Sequence, residues 1–107
     1  MIVIVPHYTT IEEAILIVDR SADDLFAGAA GGAVELADRR KDWNGPLMDF
    51  SLTARVGFIS LPLSGEVVID EINVTVRCEL PALVKTFVGE ERIRAGVERK
   101  VRGMLNG

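Results

Sequence analysis

From Met48 to Leu80 the sequence alternates apolar and polar residues through three successive segments, a period of two that an extended strand satisfies and a helix does not. Met48, Phe50, Leu52, Ala54 and Val56 share one face, with Asp49, Ser51, Thr53 and Arg55 on the other. Ile59, Leu61, Leu63, Val67 and Ile69 continue the pattern, and Ile72, Val74, Val76, Cys78 and Leu80 repeat it. Slipping any of these strands by one residue would turn its whole apolar set into water, so burial fixes register as well as strand identity. The three segments specify a half-buried antiparallel sheet.

The residues between and before the strands supply the punctuation. Asn44-Gly45 is a two-residue hairpin signal that joins a strand running from about Ala33 to Trp43 to the one beginning at Met48. Gly57 with Phe58, and Asp70 with Glu71, mark the next two reversals. Pro62 has no amide donor, which predicts a ladder position facing solvent or a bulge. Upstream, Ile2 to Val5 reads as a short strand ended by Pro6. Thr10 and Glu13 then make a capping-box pattern, and Ile11, Ala14, Ile15, Val18, Ala22, Leu25 and Ala29 recur at helical spacing. Gly28 and Gly31-Gly32 close that helix, while Leu16 and Ile17 widen its apolar stripe toward a second face.

Pro81 opens the C-terminal helix, whose apolar face begins with Leu83, Val84, Phe87 and Val88 and is interrupted at Gly89. Glu90 and Glu91 restart it, Ile93, Val97, Val101, Met104 and Leu105 carry the stripe onward, and Arg99, Lys100 and Arg102 suit its negative end. Gly96 lies beside that stripe, which predicts close approach to the sheet. These elements amount to a single α+β domain over 1–107. A curved antiparallel sheet of about five strands is expected, with the N-terminal helix and a long C-terminal helix packed on one face in a helix-grip-like arrangement.

Composition removes several function classes. A formal net charge of -4 opposes sequence-independent nucleic-acid binding, and the one basic run, Arg39-Arg40-Lys41, is flanked by Asp38 and Asp42 as in a solvated strand end. The single cysteine, Cys78, excludes an internal disulfide and falls on the inner face as a small buried hydrophobe. Met1 to Pro6 carries no preceding basic region and is too short for a secretory core or a membrane span, so a cytoplasmic location is expected.

Catalytic groups do not converge in the sequence. His7 is the only histidine and has no cysteine or histidine at ligand spacing, so no metal site is expected and His7 is read as a solvent-facing residue. The neighbouring acids Glu12-Glu13, Asp23-Asp24 and Glu90-Glu91 point apart on a helix and make poor acid–base pairs. Ser51, Ser60 and Ser64 lie opposite the core with no local base to activate them. The expectation is a binding protein without cofactor rather than an enzyme. Its candidate contact residues are Leu16, Ile17, Phe26 and Phe58, which the patterns leave outside the core, together with Trp43, the only tryptophan.

The order and spacing of Trp43-Asn44-Gly45, Met48-Asp49-Phe50-Ser51, Pro62-Leu63-Ser64-Gly65-Glu66-Val67 and Glu79-Leu80-Pro81-Ala82-Leu83, followed by a charged amphipathic helix, resembles the small bacterial polyhydroxyalkanoic acid system protein family. The resemblance is best from Trp43 to Leu105 and departs in the first helix, where Glu12 to Ala30 is acidic and apolar. It implies a non-enzymatic accessory role in polyhydroxyalkanoate storage, with the polyester granule surface or a granule coat protein as partner. Two other readings remain open. One is a small hydrophobic-ligand carrier, with a sheet–helix cavity lined by Met48, Phe50, Leu63, Val76, Phe87 and Val97. The other is a structural homodimer in which outer apolar residues meet their symmetry mates.

Overall fold

The computed structural model describes residues 1–21 and 35–106. In chain order these form β1 (Ile2–Pro6), α1 (Ile11–Ser21), β2 (Glu35–Asn44), β3 (Leu47–Val56), β4 (Ile59–Ile69), β5 (Asn73–Cys78), α2 (Ala82–Val88) and α3 (Glu90–Asn106). The strands make one five-stranded open sheet in the order β1-β5-β4-β3-β2, antiparallel throughout. The first strand therefore lies beside the last, and β1 and β2 are the two edges.

Alternation decides what the sheet buries. Val3, Val5, Met48, Phe50, Leu52, Ala54, Leu63, Val67, Ile69, Val74, Val76 and Cys78 form the inner face. Ala14 and Val18 of α1 and Ile93, Val97 and Val101 of α3 join them in one core, so both helices sit on that face, in the expected α+β arrangement. Gly96 is buried within the packed side of α3, in keeping with close approach there. At Gly65 the inner face needs glycine, because a Cβ would collide with the Arg77 carbonyl oxygen and stand 2.6 Å from the Phe50 ring.

Several boundaries differ from the sequence reading, each for a local reason. The first hairpin pairs Asn44 with Leu47, so its central residues are Gly45 and Pro46 rather than Asn44 and Gly45, with Gly45 at φ 59°. β5 starts at Asn73 because the Asp70 carboxylate accepts the Ile72 and Asn73 amides and holds the preceding residues in a turn. In β2 a bulge sets Asp38 and Arg39 against the single residue Leu52, with Asp38 at φ 53°. Pro62 is exposed and lies in the part of β4 that runs past the end of β5, where a missing amide costs no ladder bond on that flank.

The C-terminal helix is two helices. Gly89, at φ 89°, ends α2, and α3 starts at the next residue. Arg99, Lys100 and Arg102 sit upstream of the last turn, which holds no basic residue, so they are not end-of-helix charges as expected. Glu98 instead receives Arg94 and Arg102 in i,i+4 pairs at 3.6 and 3.1 Å. At the other helix the Thr10 hydroxyl accepts the Glu13 amide at 3.1 Å, as the capping pattern predicts. The expected continuation of that helix through Ala22, Leu25 and Ala29, its closing glycines and the strand start at Ala33 lie outside the described residues.

Candidate functional site: the uncovered face of the sheet

Helices α1 and α3 cover one face of the sheet, and among the described residues nothing covers the opposite face, where two adjacent rows of side chains run across the strands. Cross-strand register places Ile4, Thr75, Val68 and Leu47 in one row, from β1 through β5 and β4 to β3. The adjacent row on the same face is Ile2, Arg77, Glu66, Asp49 and Asp42. The rows are separated by two residues along each strand, about 6.6 Å, and neighbouring strands by about 4.8 Å. The first row is apolar but for Thr75 and Asn44, which continues it on β2 opposite Leu47, and the second carries three carboxylates and one guanidinium.

Exposure marks this face as unusual. Ile2 and Ile4 are 56% and 55% exposed, and Ile72, in the turn before β5, is also exposed. Arg77 meets Glu66 at 3.4 Å, whereas neither Asp49 nor Asp42 has an ion-pair partner among the described residues, although the two are directly opposed across β2 and β3. Like charges facing each other across a ladder destabilise it. The nearest cation on that face is Arg40, one row away opposite Ser51, and it forms no ion pair with either carboxylate.

A cleft of about 620 Å³ opens along the charged row, lined by Ile2, Asp49, Ser64, Glu66, Arg77 and Glu79, with Met1, Phe50, Gly65 and Cys78 completing it. This is not the cavity expected between sheet and helix. Of the residues proposed to line that cavity only Phe50 is shared, while Met48, Leu63, Val76 and Val97 belong to the packed core and the Phe87 side chain lies outside the described part.

The five candidate contact residues are dispersed. Leu16 is exposed on α1 and Ile17 is half-buried. Phe58 stands fully exposed at the β3–β4 turn, beside the partly exposed Ile59. Trp43 is committed to the fold: its indole N–H donates to Asp19 Oδ1 at 2.9 Å, and Lys41 meets the same carboxylate at 3.0 Å, tying β2 to α1. Those two hydrogen bonds hold the Asp19 carboxyl below its ordinary value, Lys41 contributing most. From the level of Trp43, opposite Met48, to the turn at Phe58 is eight residues of strand, about 27 Å, so the two are not parts of one patch. Phe26 lies outside the described residues.

His7 corrects the expectation of a solvent-facing side chain. It is buried, at 1% exposure. The Thr9 amide donates to Nδ1 at 3.1 Å, which leaves the ring proton on Nε2, and that nitrogen donates to the Asp70 carbonyl at 2.6 Å. The His7 amide also donates to the Ile72 carbonyl at 3.0 Å, so this residue clasps the end of β1 to the β4–β5 turn. Tyr8, between the ring and its Thr9 partner, takes φ 53°. Both ring nitrogens are used in folding, and no group of three or more possible metal-binding side chains occurs among the described residues.

Cys78 is buried, and burial pushes its thiol up to about 11, the environment of an inert structural cysteine. No described helix is long and apolar enough to cross a membrane. Compared with known proteins, the chain matches no family model and no curated protein.

The residues that sequence reasoning missed are Ile2, Ile4, Asp42, Asp49 and Glu66. A signal existed for the first two. Ile2-Val3-Ile4-Val5 is apolar at every position, so one half of the strand must lie on a face that the alternation of β3 to β5 assigns to solvent.

Proposed function

We propose that the protein is a non-enzymatic accessory protein of polyhydroxyalkanoate storage that attaches to the granule surface or to its coat proteins through the uncovered face of the sheet. The observation that carries the binding part of this reading is the pair Ile2 and Ile4, more than half exposed beside a cleft on the one sheet face that neither α1 nor α3 covers. Apolar side chains held in water gain about 25 cal/mol per Å² when a partner covers them, before the costs of association. The polyester part rests on the resemblance of the Trp43 to Leu105 segment described above.

The open cleft exceeds the roughly 300 Å³ a small-molecule site needs, which supports the carrier as a second reading. Its charged rim of Asp49, Glu66, Arg77 and Glu79 suits a polar partner better than an enclosed apolar ligand. Co-sedimentation of the purified protein with washed polyester granules, bare and protein-coated in parallel, tests the proposal. Capture by either preparation is the expected result, and capture by neither would overturn it and favour the carrier.

A further inference from the structure

We infer that the uncovered face docks a basic amphipathic helix of a partner protein, laid across the strands with its apolar stripe on the Ile4 row and its lysines or arginines on the Asp42–Asp49–Glu66 row. This rests on the proposal that the protein works by binding, and it narrows the partner from a granule component in general to a helix of one chemistry. Three features carry it.

The first is the pairing of rows. An apolar row beside a row with three carboxylates and Arg77 matches the neighbouring apolar and charged flanks of a single helix, whose side chains at i, i+3 and i+4 line up into stripes along its axis. Five strands span about 19 Å, the rise of roughly thirteen helical residues, so a helix of ordinary length crosses the whole face.

Charge is the second. Asp42 and Asp49 are opposed and form no ion pair among the described residues, although Arg40 stands one row away on the same face, and Glu79 adds a further carboxylate at the cleft. A cationic stripe would relieve the repulsion, while an acidic one would add to it.

The third feature excludes the nearest occupant of matching charge. Helix α3 of a second copy is basic, but Ile93, Gly96, Val97 and Val101, its apolar face, are buried in its own core and cannot also serve the Ile4 row.

The probe for the test is an 18-residue leucine–lysine peptide of helical amphipathic order, with a scrambled peptide of identical composition beside it. Binding is followed by fluorescence anisotropy of the labelled peptide, and the contacts by amide NMR shifts. The amphipathic peptide is expected to bind at least about tenfold tighter than its scramble and to shift residues 2–4, 47–49, 66–68 and 75–77. The double variant Asp42→Asn/Asp49→Asn should weaken it about tenfold, and so should Ile4→Thr, whereas Glu12→Gln/Glu13→Gln, with the same charge change on α1, should leave it unaltered. Equal binding of the scramble, equal loss in the α1 variant, or no binding would each overturn the inference. Because no granule enters this assay, its failure is distinct from failure of the storage role.

Discussion

The two faces of the sheet are written in opposite ways by the same alternation. On the inner face every position of β1, β3, β4 and β5 is apolar or Gly65, and the one charged side chain that β2 turns toward α1, Lys41, is paired with Asp19. On the outer face polar residues are interrupted by Ile2, Ile4, Val68 and Leu47, and carboxylates stand opposed at Asp42 and Asp49. The inner face obeys the rules that make a chain fold. The outer face departs from them in two ways at once, by exposing apolar area and by setting like charges together, and it can do so because its residues are not needed for the core.

Substitutions that treat the two faces alike should therefore have unlike effects. Val76→Asp, on the inner face, places a carboxylate in a sealed core and should cost about 4 kcal/mol or more in urea denaturation, while its neighbour Thr75→Asp on the outer face should cost no more than about 1 kcal/mol. Comparable costs at the two positions would erase the distinction between the faces. Gly65→Ala should lose about 2–3 kcal/mol in the same assay, since the added methyl meets backbone and an aromatic ring rather than a flexible chain end.

His7→Ala sharpens the comparison at the sheet's rim. It removes the partner of the Thr9 amide and the Asp70 carbonyl and should cost about 2 kcal/mol, with loss of amide protection concentrated at residues 7–9 and 70–72. Asp49→Asn has the opposite sign. Relief of the Asp42–Asp49 repulsion should raise stability by about 0.3 kcal/mol, the smallest of these shifts, resolvable as an increase in denaturation midpoint at low salt.

Acid reports on the structural carboxylates. The Asn73 and Ile72 amides hold the Asp70 carboxyl below its ordinary value of 3.8, and Lys41 and Trp43 do the same for Asp19. A carboxyl whose value is depressed by folding contributes stability that is fully present above its unfolded value and is lost as pH falls through the folded one. Stability should therefore decline as pH drops below about 4, and Asp70→Asn should flatten that decline.

Much of this was legible in the chain. The strand from Ile59 to Ile69, the cap at Thr10 and the break at Gly89 each follow from local chemistry acting over a few residues. The burial of His7 was not legible, because its ring partner Asp70 is 63 residues away and only the pairing of β1 with β5 brings them together. The acidic row has the same origin. Asp42, Asp49 and Glu66 are unremarkable solvent-facing residues in sequence, and their opposition exists only once the two hairpin registers are known. The bulge at Asp38 and Arg39 falls in a run of polar residues where alternation carries no signal.

The central claim is that the uncovered face is where the protein attaches, and granule capture by surface variants addresses it most directly. Ile2→Thr/Ile4→Thr keeps β-branched residues on β1 and removes the exposed apolar area, with Leu16→Ser and Phe58→Ser as variants at the other exposed positions. The account predicts about a tenfold loss of capture for the β1 double variant at an unchanged urea midpoint, with Leu16→Ser and Phe58→Ser captured like the parent. Undiminished capture of Ile2→Thr/Ile4→Thr, with loss at Leu16 or Phe58 instead, would contradict it.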